Sequence, residues 1–411
     1  MITTTIDVNV SIKELVEKYP ETLDILVANG FEMFKDENKL NTVGRILKLG
    51  SALKSKGYDE DTFIKLLEER IEQESNVSDV TMKKKEKNGD VTLKGLLPCP
   101  VRIPLLECFD KFAESFKREK GISIKYNLEA ASVGAKFIEE ELSNITDAAY
   151  LPDIFVSAGF ETFFDKKAIG RFKENGVFVN PYFGEKLNDD FNGVDIEDPK
   201  GDYTIISTVP AVFMVNLQEI GDLKVPESWA DLLSEEYYQK VALPVGDFDL
   251  FNAILISIYK DFGMDGVEKL GKILLKSMHP AQMVKNAEKK VADKPVVTIM
   301  PYFFTKMVRD VSTMKVVWPK DGAIISPIFM LVKRSKLEIL KPVADFLFSK
   351  EVGEILSHKG LFPSLNPEVK NILPENAKFK WVGWDYIYEN DIAELIKMTN
   401  EVFEKSADEV R

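Results

Sequence analysis

The stretch LKGLLPCPVRIPLLECFDKFAESF, residues 93–116, constrains the fold of this chain more than any other stretch. Its first residues form a short apolar run, which is typical of a buried strand. Pro98 and Pro100 then interrupt the run and predict an extended backbone at Cys99, outside the helix that follows. A helix is expected from about Pro104, because apolar residues recur there at helical spacing: Leu105, Phe109, Phe112 and Phe116. In open α/β sheets, loops like this one line the ligand crevice.

The same succession of strand, loop and helix recurs along the chain. Short β-rich segments lie at 122–128, 154–156, 241–243 and 296–299, and helical patterns follow them. This alternation predicts an α/β fold with a largely parallel sheet. Two longer runs, Tyr203 to Val215 and Ala323 to Val332, are β-rich throughout.

Five of the junctions between a strand and a helix carry the candidate ligand-binding residues. Small residues there let backbone amides approach a ligand, and helix N-termini favour anions. The alternative is that each junction is only a tight turn, and Asp247 or Asp249 is equally well explained as a helix N-cap. The candidates are Cys99, Ser132, Ser157, Ala158, Asp247, Asp249 and Tyr302.

Residues 1–74 predict a separate small all-α module, and 75–91 a polar linker. The pattern from Ser11 to Glu14 is a capping box that begins the first helix. YPETLDILVANGF and LNTVGRILKLGSALKSKGYDEDTFIKLL resemble a small helical domain of unknown function that is often fused to redox-associated proteins. Many of its members carry a cysteine pair where this chain has Glu32-Met33-Phe34, so we expect docking or self-association here rather than a redox role.

A second resemblance spans residues 92–390. VPESWADLLSEEYYQKVALP (225–244), LPDIFVSAGFETFFD, VPAVFMVN and WPKDGAIISPIFMLVKRS resemble type II periplasmic substrate-binding proteins, the binding components of ABC transporters. Relatives in that family bind ferric iron, thiamine, polyamines or oxyanions. The chain shows no leader and no lipid-anchor cysteine near its start, so the resemblance implies ligand binding more directly than transport.

The resemblance implies a two-lobed fold with ligand bound between the lobes. Two crossing hinge strands would join the lobes, and the two long β-rich runs are where we place them. The whole domain would then span 92–411. Lobe 1 would comprise about 92–207 and 325–411, and lobe 2 about 208–324.

Other candidate residues have simpler structural explanations. Tyr237 and Tyr238 suggest a ferric site, but they lie in a segment that the family uses for packing, and no histidine lies in a junction loop. Trp381 and Trp384 are more typical of residues that cover a core. The sequence shows no phosphate-binding loop, zinc-protease helix or nucleophile elbow, and it indicates neither an enzyme nor a cofactor.

Composition narrows the classes of partner. The net charge of -13, from 54 basic and 67 acidic residues, argues against a nucleic-acid or anionic-membrane partner. Two cysteines make a disulfide framework improbable. No secretory signal is visible, nor a stretch of about 20 apolar residues that would span a membrane. A cytoplasmic location is therefore expected.

These patterns predict a solute-binding or ligand-sensing protein that closes on a small polar or anionic solute. Two alternatives stay open at this stage. One is a redox sensor or enzyme that uses Cys99 in the cleft, and the other is an assembly protein that acts through residues 1–74.

Overall fold

The computed structural model of the chain describes residues 6–20, 22–23, 26, 31–55, 60, 63–64, 67–68, 71, 90–130, 145–245, 248–277, 294–307 and 312–410. They divide into two compact units, one formed by the described residues before 88 and one by those after it. The predicted linker falls almost wholly outside the described residues, so the domain boundaries stay a prediction.

The N-terminal unit is helical where it is described. Its helices are α1 (Ile12–Lys18), α2 (Glu37–Ile46) and α3 (Leu49–Ser55). The capping box begins α1, because the Ser11 hydroxyl accepts from the Glu14 amide and the Glu14 carboxylate accepts from the Ser11 amide. The unit has a core of its own, which includes Leu15, Phe31, Phe34, Leu49, Leu53 and Leu67. The prediction of a small all-α domain is confirmed.

The larger unit begins with a parallel sheet. Strand β1 (Val91–Leu97) lies between β2 (Ile124–Ala130) and β3 (Ile154–Ala158) and is parallel to both. Helix α4 (Cys99–Lys120) connects β1 to β2. The short elements α5 (Glu161–Phe164), α6 (Gly170–Glu174) and β4 (Phe178–Val179) follow β3.

The predicted start of α4 is wrong. The helix begins at Cys99 instead of at about Pro104, so the backbone of Cys99 belongs to the first turn and is not an extended loop. Pro98 is the N-cap and Pro100 lies in the first turn, where a missing amide proton removes no helical hydrogen bond. Pro104 lies inside the helix.

The rest of the chain alternates strands and helices. Its elements, in order, are β5 (Thr204–Asn216), α7 (Trp229–Leu232), β6 (Val241–Leu243), α8 (Phe248–Ile273), β7 (Leu274–Ser277), β8 (Val297–Pro301), β9 (Met314–Val317), β10 (Ala323–Lys333), α9 (Leu337–Leu347), α10 (Lys350–Glu354), β11 (Phe379–Lys380), α11 (Trp384–Glu389) and α12 (Ile392–Asp408). Short 3-10 and π-helical turns lie at Tyr302–Met307 and Ile355–Lys359.

The two long strands, β5 and β10, join two lobes. The strand order is β2-β1-β3-β10-β5-β8-β6-β7, with β4 and β11 paired to β10 and β9 paired to β5. Strand β5 pairs with β10 as far as Pro210, and from Ala211 it pairs with β8. The predicted α/β, two-lobed fold with two crossing strands is confirmed. Lobe 1 holds β1 to β4 and lobe 2 holds β6 to β9, while the predicted end points of the lobes stay a prediction.

The C-terminal residues contact both lobes. Trp384 is fully buried and its indole nitrogen donates to the Ile196 carbonyl oxygen (2.9 Å) in lobe 1. In α12, the ring of Phe403 lies 5.0 Å from that of Phe251 in α8 of lobe 2. Trp381 and Trp384 both pack on the core, as the sequence predicts. None of the described helices is long and apolar enough to cross a membrane.

Candidate functional site

The carboxyl ends of the parallel strands in both lobes lie at the crossing of β5 and β10. In lobe 1, β1, β2 and β3 end at one edge, because Leu97 is in register with Ala130 and Leu96 with Ser157. In lobe 2, β6 and β8 are parallel and end at Leu243 and Pro301. Carboxyl edges are where ligands bind in open α/β sheets.

Strand β5 spans the distance between the two edges. Ala158 at the end of β3 is in register with Ile328, which is in register with Ser207 of β5. Ala211, four residues further along β5, is in register with Pro301 at the end of β8. Four residues of a strand span about 13 Å. The two edges are therefore separated by about this length along β5.

Two buried hydroxyl groups lie in this crossing. Thr208 is 0% exposed and Ser326 is 1% exposed, and they lie on adjacent strands, where Thr208 pairs with Pro327 and Ser326 with Val209. Neither hydroxyl oxygen has a hydrogen-bond partner in the described part of the chain. Burying an unpaired hydroxyl costs about 1–3 kcal/mol, so each one needs an explanation.

The neighbouring Ser207 is a contrast within the same strand. Its hydroxyl donates to the carbonyl oxygens of Phe362 (3.0 Å) and Pro363 (2.9 Å). The Thr208 amide also donates to Pro363 (3.1 Å). Residues 358–363, which we call the covering segment, therefore lie along one side of the crossing. Thr208 uses its amide there but not its hydroxyl.

The turn after β8 reaches from lobe 2 to this same covering segment. The rings of Phe303 and Phe362 are stacked, with centroids 6.2 Å apart and planes at 18°. The Lys306 ammonium donates to the carbonyl oxygens of His358 (2.7 Å) and Lys359 (3.2 Å), which end the π-helical turn. Partial burial lowers the pKa of Lys306. Cations are favoured at the carbonyl end of a helix.

The covering segment is tightly constrained. Leu361 is buried, yet its φ of 50° lies in the left-handed region that side chains other than glycine rarely adopt. A Cβ on Gly360 would lie 2.3 Å from the Phe362 ring and 2.6 Å from Val101 in the first turn of α4. Residues held in such conformations concentrate at functional sites. The covering segment therefore contacts both the first turn of α4 and the turn after β8.

Four of the seven predicted site residues can be placed in the fold by their surroundings. Ser157 is buried and its hydroxyl donates to the Ala158 carbonyl oxygen (2.6 Å), and Ala158 ends β3 at the crossing. Tyr302 begins the turn after β8, where its ring lies edge-on to Trp318 at 5.2 Å and burial raises its pKa. Asp249 is half-buried in the first turn of α8.

Of the other three predicted site residues, Cys99 begins α4, whereas Ser132 and Asp247 lie outside the described residues. Ser157, Ala158 and Tyr302 thus lie near the crossing, while the ligand-binding role of all seven stays a prediction. Sequence reasoning missed Thr208, Ser326 and Lys306. A signal existed for Ser326, because a lone hydroxyl residue in a long apolar strand is unusual, whereas β5 carries three hydroxyl residues.

The tyrosine pair behaves as the packing explanation predicts. Tyr237 is 2% exposed and its hydroxyl donates to the Lys224 carbonyl oxygen. Burial, followed by the nearby Glu236 carboxylate, raises the pKa of Tyr237 to about 12. In the part of the chain that is described, no group of three or more histidine, cysteine, aspartate or glutamate residues could hold a metal ion.

Comparison with protein families gives two matches. The model for "Bacterial extracellular solute-binding protein" matches residues 149–390. The model for a domain of unknown function (DUF1858) matches residues 6–64. Both resemblances predicted from the sequence are thereby confirmed. No curated protein sequence matches the chain.

Solved structures show the same fold. A Trichodesmium protein in complex with iron and citrate aligns with a TM-score of 0.55 at 16% identity, over 76% of this chain and 98% of that one. The ferric binding protein of Campylobacter jejuni aligns with a TM-score of 0.52 at 15% identity, over 77% and 99%. A periplasmic binding protein of Actinobacillus pleuropneumoniae with fructose-6-phosphate bound gives 0.50 at 15% identity, over 78% and 98%.

Proposed function

This chain belongs to the bacterial extracellular solute-binding proteins, and we propose that it binds a small polar or anionic solute between its lobes, which close around it. The observation that carries the proposal is the crossing of β5 and β10. There the carboxyl edges of both lobes meet beside two buried hydroxyls, Thr208 and Ser326, that have no partner among the described residues. The two side chains point to opposite faces of the sheet, because Thr208 is in register with Pro327 and Ser326 with Val209. A solute that accepts or donates hydrogen bonds would therefore satisfy the hydroxyl on the face that lines the cleft.

The solutes of structural relatives support the polar character of the ligand. One relative is described with iron and citrate and another with fructose-6-phosphate. These solutes are small and polar, and two of them are oxyanions. The iron ligands of such relatives are not transferred to this chain, because Tyr237 is used in packing.

Closure is supported by contacts that lobe 2 makes with lobe 1 through the turn after β8. Phe303 and Lys306 contact residues 358–362, and that segment also packs beside the first turn of α4. A solute that touched both edges would bind the closed form more tightly than the open form. It would therefore add to these contacts and shift the population toward the closed form.

Native mass spectrometry of the purified chain tests for a co-purified solute, and small-angle scattering before and after its removal tests for closure. We expect the radius of gyration to fall when the solute is returned. If the solute binds and the radius of gyration stays unchanged, closure is contradicted. If no solute co-purifies with the chain and none binds to it, the proposed function is contradicted.

The hydroxyls allow a sharper test, because their removal should separate binding from stability. Thr208→Val removes an unpaired buried hydroxyl, so we expect equal or higher thermal stability together with roughly two- to tenfold weaker solute binding. Thr399→Val is the matched control, since the Thr399 hydroxyl is buried in α12 and donates to the Leu395 carbonyl oxygen (2.7 Å). That variant should lose stability and keep its affinity.

A second candidate function concerns the N-terminal unit. Among its described residues, three large apolar side chains are exposed to solvent, Met33, Val43 and Ile46, and two of them lie on α2. This patch supports the docking or self-association predicted for residues 1–74. A cytoplasmic location and a redox or enzymatic role for Cys99 stay predictions from the sequence.

A further inference from the structure

Arg102 is a buried cation with unused hydrogen-bonding capacity. Its side chain lies in the first turn of α4 and the residue is 6% exposed. The guanidinium Nε donates to the Leu128 carbonyl oxygen of β2 (3.2 Å), while Nη1 is buried with no hydrogen-bond partner among the described residues. No ion pair of Arg102 occurs among them either.

The position of the guanidinium follows from the geometry of α4. Side chains of a helix lean toward its N-terminus, so Arg102 points back toward the carboxyl edge of lobe 1. Leu128 lies two residues before the end of β2, whose last residue, Ala130, is in register with Leu97 at the end of β1. The guanidinium therefore lies close to the edge at which the solute is proposed to bind.

Fold stability alone does not account for this arrangement. A cation in the first turn opposes the helix dipole, and a buried charge without a counter-charge is destabilising. The first turn of α4 contains no acidic residue, and no side chain caps it. A positive helix end and a buried guanidinium thus lie together without an anion from the described residues.

We infer that Arg102 and the N-terminus of α4 recognise an oxyanion, the carboxylate or phosphate group of the bound solute. The guanidinium presents two or more N–H groups in a planar fork that matches such a group, and the helix end adds favourable potential. This inference rests on the proposed function and narrows its solute class from polar compounds to those with an oxyanion.

Titration of the full chain with inorganic phosphate and with citrate, followed by calorimetry and thermal melting, tests the inference. The two probes separate the phosphate source of the oxyanion from the carboxylate source. We expect the wild-type chain to bind at least one of them, and Arg102→Gln to weaken that binding roughly tenfold or more. Arg118→Gln is the matched control, because it removes the same charge from the exposed far end of α4 and should bind as the wild type does.

A second variant guards against a purely structural effect. Arg102→Lys keeps the charge and loses the planar fork, so we expect a folded chain with intermediate anion affinity. If Arg102→Gln does not fold, the lysine variant decides, and unchanged anion binding in it overturns the inference. Equal losses in Arg102→Gln and Arg118→Gln, or anion binding unchanged in Arg102→Gln, overturn it as well.

The outcomes also separate this inference from the proposed function. If neither anion binds the wild-type chain but its co-purified solute still closes it, the oxyanion inference is overturned and solute binding stands. If neither anion nor co-purified solute has any effect, both are overturned.

Discussion

The ammonium group of Lys306 donates a hydrogen bond to the carbonyl oxygen of His358 at 2.7 Å, and so connects lobe 2 to a segment that packs against α4 of lobe 1. Lys306 follows β8 of lobe 2, and His358 lies in the π-helical turn after α10. Together with the stacked rings of Phe303 and Phe362, this bond connects the lobes beside the crossing strands.

Removal of the Lys306 ammonium should favour the open form. Lys306→Met loses two hydrogen bonds between the lobes, so we expect the open-to-closed balance to shift by about 0.5–1.5 kcal/mol toward the open form. Small-angle scattering should report a larger radius of gyration. Lys269→Met is the control, because the Lys269 ammonium pairs within α8 with Asp265 (2.6 Å). Equal radii for both variants would count against a role of Lys306 in closure.

Removal of the Lys173 ammonium should strongly destabilise lobe 1. Lys173 contacts the carboxylates of Asp198 (2.6 Å) and Asp202 (3.0 Å), and the Asp198 side chain is fully buried. Lys173→Met leaves the buried Asp198 carboxylate without its cation, whereas Asp202 keeps its ion pair with Arg334 (3.2 Å). We therefore expect a loss of about 3–5 kcal/mol in the free energy of unfolding. Urea unfolding measures it. Lys186→Met, at an exposed pair with Asp189, should lose far less stability.

The same cluster should make stability depend on acid pH. Burial raises the pKa of Asp198, but hydrogen bonds from Lys173 and Tyr388 outweigh it and hold the pKa below 3.8. A carboxyl whose folded pKa is depressed stabilises the protein above its unfolded pKa, and this contribution is lost as the pH falls below about 4. Urea unfolding across this range should show a steeper loss for wild type than for Lys173→Met. Parallel pH profiles would contradict the assignment.

Cys108 should react slowly with thiol reagents. Burial, followed by the Glu351 carboxylate, raises the pKa of Cys108 to about 11, compared with an ordinary value of 9.0. At pH 8 this leaves roughly a hundredfold less thiolate, which is the reactive form. Timed alkylation with peptide mapping should therefore label Cys99 first, because Cys99 begins α4 and helix N-termini stabilise thiolates. Equal, slow labelling of both cysteines would remove the redox and enzymatic roles predicted for Cys99.

The exposed patch of α2 should mediate self-association or docking if the N-terminal unit acts as an assembly module. Ile46 is 81% exposed and Val43, one helical turn before it, is 41% exposed. Ile46→Glu should lower any association by light scattering while the melting temperature stays unchanged, because little is buried at this position. Asn41→Glu adds the same charge on another face of α2 and is the control. A wild-type chain that is monomeric at every concentration and retains no partner would contradict this role.

The fold could be predicted from the sequence because its signals are local. Apolar runs, hydrophobic spacing and junction residues depend on neighbours a few positions apart. The crossing strands predicted at 203–215 and 323–332 occur at Thr204–Asn216 and Ala323–Lys333. The start of α4 is the exception. Pro98 and Pro100 predict an interrupted backbone, but the first turn of a helix tolerates proline, and the packing of strand and helix decides where that turn begins.

The candidate site depended on tertiary structure for most of its residues. The sequence alone determined that Cys99, Ser157, Ala158 and Tyr302 follow or end strands, since strand position is a local property. Only the fold brought Lys306 to His358, 52 positions away, and Arg102 to Leu128, 26 positions away. It also left the hydroxyls of Thr208 and Ser326 without partners. No local pattern encodes such contacts, because they arise where distant segments pack, and burial is what turns an ordinary polar side chain into one that requires a partner.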